Sequence, residues 1–133
     1  MALNVPHTGE NIALEAFVNK TAPQNLVLKL FNNNITPSDT DTAGTYTEAT
    51  FTGYSAATLT GASWGSASGG VITYGSQQTF TRTSTGTVEN IYGYFIVQAS
   101  SGTLAWSERD PSAPFGVTNN GDAIKITPTI SAN

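Results

Sequence analysis

Residues 91–110, IYGYFIVQASSGTLAWSERD, decide the fold. In an extended chain Ile91, Gly93, Phe95 and Val97 share one face, and Tyr92, Tyr94 and Ile96 share the other. Both faces are apolar. That is the pattern of a strand covered on both sides, or of one lying at a subunit contact. Ser100-Ser101-Gly102 turns the chain, and Thr103 to Glu108 run back, so the stretch reads as a β-hairpin. Gly93 has no side chain and invites close approach from whatever lies opposite. The hairpin ends in Ser107, Glu108, Arg109 and Asp110, a polar group in a chain otherwise poor in charge.

Working outward, Leu26, Leu28 and Leu30 line one face of a strand, with Val27, Lys29 and Phe31 on the other. Asn32-Asn33-Asn34 stops it, and a loop follows through Pro37, Asp39, Asp41 and Gly44. Residues 46–54 and 56–64 read as strands, the second with Leu59 inward. Residues 65–70, GSASGG, read as a flexible loop. Residues 71–74 and 77–83 read as short strands around a Gly75-Ser76 turn. Residues 115–118 and 123–130 flank Asn119-Asn120-Gly121-Asp122, whose Asn-Gly pair suits a type I′ hairpin turn. Pro128 puts that last strand at an edge or near a bulge.

The N-terminus differs. Residues 1–9 have no periodicity and read as an extended arm. Ile12, Ala13, Ala16 and Phe17 then fall on one face of a short helix over residues 10–20, with Thr8 as its cap; the alternative is an edge strand. With about eight strands at regular spacing, the expectation is an all-β, single-domain β-sandwich or jelly roll of antiparallel strands. The arm and helix occupy residues 1–24 and the body residues 25–133.

The chain has 133 residues, enough for one domain with a true core. Only 11% of them are charged, and the net charge is −4. Lys20, Lys29, Arg82, Arg109 and Lys125 are scattered, so no basic cluster exists to neutralise phosphates, and a nucleic-acid partner is not expected. There is no cysteine, which excludes disulfides and thiolate chemistry. The first residues carry no signal-peptide pattern and no run is long enough to span a bilayer, so the expectation is cytoplasmic synthesis and no membrane partner.

Candidate chemistry is sparse. His7 is the only histidine, so a zinc site or a Ser-His-Asp arrangement has little to build on. Residues 39–44, DTDTAG, begin like a calcium loop, but Ala43 replaces a ligand and Thr50 stands where a bidentate Glu belongs. A solvated loop whose Asp side chains bond their own backbone is the plainer reading. Glu108 and Asp110, with Glu89 across the hairpin, could meet at one rim, and paired carboxylates can hydrolyse glycosides. An Arg between two acids is more often an ion-pair cluster at a rim or subunit contact. No cofactor and no catalytic residue is expected. The chain's many tyrosines, with Trp64 and Trp106, are either core residues or a glycan-stacking surface.

Three ordered segments carry a resemblance: LVLKLFNNNITPSDTDTAGTYTEATFTGYSAATLTGASW (26–64), QQTFTRTSTGTVENIYGYFIVQASSGTLAWSERD (77–110) and PFGVTNNGDAIKITPTI (114–130). Together they resemble a group of small proteins from the structural gene modules of tailed bacteriophages. The resemblance implies a virion component, made in the host cytoplasm and located on the capsid surface. The role it implies is a non-enzymatic cement, or decoration, protein bound to the major capsid protein. A homotrimer on a local symmetry axis would bind multivalently. A tail-fibre or baseplate domain recognising host glycans is the alternative. The expected capsid or oligomer contacts are Asn4, Val5, His7, Ile12 and Phe17 of the arm and helix, with Tyr92, Tyr94, Glu108, Arg109 and Asp110 of the hairpin.

Overall fold

The computed structural model describes residues 2–132. Its centre is β7 (Gly93–Gln98), buried at every position. β7 pairs with β8 (Leu104–Arg109) on one side and β2 (Leu26–Phe31) on the other. β1 (Ala2–Asn4) adds to the outer edge of β8, and β3 (Ala57–Leu59) to that of β2. The result is a five-stranded antiparallel sheet in the order β1-β8-β7-β2-β3. The β7–β8 hairpin closes as its sequence requires. Gly102 takes a φ of +71°, and its amide donates to the Gln98 carbonyl at 2.9 Å. The register shifts between Ile96 and Val97, where Val97 faces Leu104 and Ile96 faces Trp106.

The remaining strands form three two-stranded antiparallel ribbons. β4 (Val71–Thr73) pairs with β11 (Thr129–Ser131), β5 (Gln78–Thr81) with β10 (Ala123–Ile126), and β6 (Glu89–Ile91) with β9 (Phe115–Val117). Eleven strands and the helix α1 (His7–Phe17) make an all-β chain with one short helix among the described residues.

Alternation divides the core in two. Leu28, Leu30, Tyr94, Ile96 and Trp106 face the ribbons, which contribute Phe80, Ile91 and Val117 to the larger cluster. Phe31, Phe95, Val97 and Leu104 face the other way, under the segment that carries Tyr46. Tyr46 stacks on Phe95 at 5.0 Å and meets Phe31 edge-on at 4.9 Å. The two-faced burial expected of residues 91–98 is met within one chain, because ribbons cover one face and a loop the other.

Several expectations need correction. The continuous strand expected from Ile91 through Val97 breaks at Tyr92. Ile91 belongs to the larger cluster and Tyr92 packs on the smaller one, the reverse of simple alternation. Residues 46–54 form no strand; Phe31 and Glu48 make only an isolated bridge. The hairpins expected around Gly75-Ser76 and Asn119–Gly121 do not form, since β4, β5, β9 and β10 all pair elsewhere. Asp122 explains the second case. Its carboxylate accepts the amides of Thr118 (3.0 Å) and Asn119 (2.8 Å), and its carbonyl accepts the Arg82 amide (2.8 Å), turning the loop toward β5. Pro128 lies between β10 and β11, buried, with its carbonyl accepting the Tyr74 amide at 2.8 Å.

The N-terminal arm is also corrected. Residues 2–4 are an edge strand of the main sheet. α1 starts three residues before the expected helix, with Pro6 as N-cap and no side-chain cap. Thr8 does not cap; its hydroxyl donates to the Leu104 carbonyl at 2.8 Å. Asn19, at φ +58°, is the left-handed residue that ends the helix.

Candidate interaction surface

α1 is fastened at one end only. The His7 amide donates to the Asp39 carbonyl at 2.9 Å, and Thr8 holds Leu104. Gly9 is buried against β8, where a Cβ would overlap the Ala105 carbonyl oxygen. Only glycine lets the helix approach the strand this closely. Ile12 packs on the larger core cluster. Beyond it the helix leaves the body. Leu14 is 64% exposed, Phe17 90% and Val18 68%. Three large apolar side chains at one helix end, facing water, form the most conspicuous unpartnered surface among the described residues. A groove of ≈ 800 Å³ runs beside it, walled by Val5, Ala13 and Leu14 on one side and Val71, Ile72 and Ile130 on the other.

The β1–β8 register joins the two groups of residues singled out from sequence. Leu3 lies opposite Glu108 and Asn4 opposite Ser107. Asn4 fixes the neighbouring loop by donating its side-chain amide to the Ser38 carbonyl at 3.0 Å. Val5 lines the groove, Ile12 packs on the larger core cluster, and Phe17 lies beyond it in water. The hairpin residues sit nearby, with Tyr94, Glu108 and Asp110 lining one cleft and Arg109 apart from them. The Tyr94 hydroxyl donates to Glu108 Oε1 at 2.8 Å. Burial, then the Glu108 charge, push the Tyr94 phenol well above its ordinary range. Arg109 lies on the opposite sheet face from Glu108, over the Tyr92 ring at 5.0 Å, and donates to the Ile35 carbonyl at 2.9 Å. Asp110 Oδ1 accepts the Ser112 amide at 2.8 Å. Glu89 accepts the Thr50 amide (2.8 Å) and hydroxyl (2.7 Å).

The ion-pair cluster expected at 108–110 therefore does not form. Among the described residues no salt bridge joins Glu108, Arg109 or Asp110. Strand alternation is the reason, since it sends adjacent side chains to opposite faces. Glu89 is likewise committed to Thr50 and does not meet the other two acids.

In the Asp39–Gly44 loop, Asp41 turns inward. Its carboxylate accepts the Ser38 amide (2.9 Å), the Ser38 hydroxyl (2.9 Å) and the Tyr46 hydroxyl (2.7 Å). Tyr46 also shares a 2.7 Å bond with Ser107. This buried Ser107–Tyr46–Asp41 chain pins the loop to β8, and sequence reading missed it, because residues 41, 46 and 107 carry no common spacing. Sequence reading also treated Arg82 as one of several scattered cations. It is buried, and its guanidinium donates to the carbonyls of Ser84 (2.7 Å), Thr87 (2.9 Å) and Val117 (2.9 Å).

His7 is exposed and bonds Glu10 Oε2 at 3.0 Å. That bond raises the imidazole above its ordinary 6.5. A raised folded-state value means the pair stabilises the helix start fully below pH 6.5 and loses that contribution as pH rises through the His7 value. A proton-NMR titration is expected to give a His7 midpoint above 6.5 that Glu10→Gln returns toward it.

Trp106, Tyr46, Tyr74 and Tyr94 are buried, Trp106 to 4% exposure; Tyr54, Tyr92 and Trp64 are half-buried. Among the described residues no helix is long and apolar enough to cross a membrane. No protein-family model matches the chain, and comparison with curated proteins finds no match.

Proposed function

We propose that this chain is a non-enzymatic virion protein of a tailed bacteriophage, a capsid cement or decoration protein that binds the major capsid protein from outside as a homotrimer. The observation that carries the reading is the exposed apolar end of α1, with Leu14, Phe17 and Val18 in water beside the Val5–Ile130 groove. An isolated eleven-residue helix is marginal in water, so such an end is best stabilised by a neighbour. The resemblance of residues 26–130 to phage structural proteins supports the same assignment. Glu89 has both carboxylate oxygens engaged by Thr50, away from Glu108 and Asp110, which favours a binding role over glycoside hydrolysis by the three acids. The packing of the ribbons on the leucine face of the sheet supports a sandwich-like description of the body. The glycan-binding alternative depended on exposed rings, and most of the chain's tyrosine and tryptophan surface lies in the core.

Quantitative mass spectrometry of purified virions tests the proposal. A cement protein is expected in copy numbers that scale with the capsid lattice, and Phe17→Ser is expected to lower that occupancy with little loss of fold stability. Surface changes of this kind typically shift stability by no more than about 0.5 kcal/mol. A copy number of only a few per particle would rule the role out.

A further inference from the structure

β9 and β10 follow one another through a tight turn, yet neither pairs with the other. A cleft lies between them. Its deeper part, ≈ 210 Å³, is walled by Ile91, Tyr94, Phe115 and the length of β10; a shallower part of ≈ 370 Å³ continues past Gly116 and Val117. The backbone of β10 presents an open edge. The Arg82 amide donates to the Asp122 carbonyl at 2.8 Å, and Phe80 and Gln78 lie opposite Ile124 and Ile126. Bonded pairs alternate in an antiparallel ladder, so Ile124 and Ile126 bond β5, while the amides and carbonyls of Ala123 and Lys125 point away from it. Outside that ladder, no backbone bond engages Ala123 or Lys125 among the described residues.

Charge sits at the deep end of the cleft. Glu108 uses Oε1 to hold Tyr94, and Asp110 uses Oδ1 to hold Ser112. The second oxygen of each carboxylate makes no hydrogen bond to a described side chain or amide. Among the described residues Lys125 is the one cation lining the cleft, against Glu108 and Asp110 in the deeper part and Asp122 in the shallower. The chain as a whole carries −4. The cleft thus combines unpaired strand backbone, apolar walls and a net acidic floor.

We propose that this cleft receives an extended polypeptide segment of a partner protein, added as a strand to the open edge of β10 and carrying a Lys or Arg that meets Glu108 and Asp110. Backbone bonds to Ala123 and Lys125 supply the affinity, and the apolar walls and acidic floor select alternate side chains. Phe115, exposed at the mouth, covers the aliphatic stem of the entering cation. The assignment does not depend on the capsid role, since it concerns a different face from the α1 groove.

An array of immobilised extended peptides tests it, with Lys, Arg, Gln or Glu fixed at the centre and Val, Thr, Ile and Ser varied around it, probed with the full chain. Lys- and Arg-centred peptides are expected to bind about fivefold more tightly than their Glu-centred counterparts. Ala123→Pro removes an outward amide and leaves the β5 ladder bonds in place, so it is expected to abolish binding while the circular dichroism spectrum stays unchanged. The pair Glu108→Gln and Asp110→Asn keeps the Tyr94 and Ser112 bonds and is expected to erase the preference for a central cation. If Ala123→Pro does not fold, the carboxylate pair decides alone. Retention of no peptide, indifference to the central charge, or full binding by a folded Ala123→Pro chain would each overturn the proposal.

Discussion

Gly93→Ala is expected to be among the most damaging single substitutions in this chain. A Cβ at position 93 would overlap the Glu108 carbonyl oxygen and come within 2.9 Å of the Phe31 ring and 3.0 Å of the Arg109 Cα. Two of those three neighbours are backbone, so no side chain can simply rotate aside. Ordinary overpacking costs about 1–3 kcal/mol, and a backbone clash in a central strand belongs at the upper end or beyond. Alanine restricts the unfolded chain, which offsets only about 0.4–1 kcal/mol. A loss of about 3 kcal/mol lowers Tm by roughly 10 °C for a domain of this size. Gly102→Ala provides the control. Position 102 has nothing within 4 Å but a φ of +71°, so the cost there is conformational strain alone, about 1 kcal/mol. Thermal unfolding of both variants checks the ordering. If Gly93→Ala were no worse than Gly102→Ala, the close β7–β8 approach would be wrong.

Arg82→Met is expected to cost a similar amount by another route. Arg82 is buried and, among the described residues, pairs with no carboxylate at salt-bridge distance; its guanidinium is held by three carbonyls. Methionine fills much of the volume but returns no donor. The carbonyls of Ser84, Thr87 and Val117 then lose charged donors, each worth about 1.5–3 kcal/mol when made, though water can recover the exposed two. A net loss of about 3 kcal/mol follows. Arg82→Lys keeps the charge but lacks the planar fork that reaches carbonyls in different directions, so it is expected to recover less than half. Urea denaturation should show a lower midpoint with an unchanged slope. Hydrogen exchange should quicken first in residues 83–88, whose loop the guanidinium holds, and the Gly86 position packs directly on it.

These two residues show how differently the sequence exposes its constraints. Gly93 is legible because a glycine in a run of Tyr, Phe, Ile and Val breaks a strong local pattern. Arg82 is not legible. Its neighbours in sequence are Thr and Ser, and its meaning depends on the Val117 carbonyl, far along the chain. The candidate surface divides the same way. Phe17 and Ile12 stand out by helical spacing, but that spacing does not say which face meets the body. Gly9 decides it, by letting α1 settle on Ala105 with Phe17 turned outward. The acids at 108 and 110 look like a cluster in one dimension, and strand alternation separates them from Arg109 in three.

The all-β class, the leucine core strand, the β7–β8 hairpin and the two-sided burial of residues 93–98 are all legible in the sequence. All of these depend on period-two patterning and turn chemistry within a few residues, and such local terms act whatever the rest of the chain does. Which of the short strands pair is settled by long-range packing. Gly75-Ser76 and Asn120-Gly121 permit hairpins, but a three- or four-residue strand gains little from its nearest neighbour in sequence. The structure instead pairs β4 with β11 and β5 with β10, which places Phe80, Ile124, Ile126 and Ile130 against the leucine face together. Burial of that shared face, a non-local term, outweighs local turn preference. The same choice leaves the β10 edge open and the end of α1 in water.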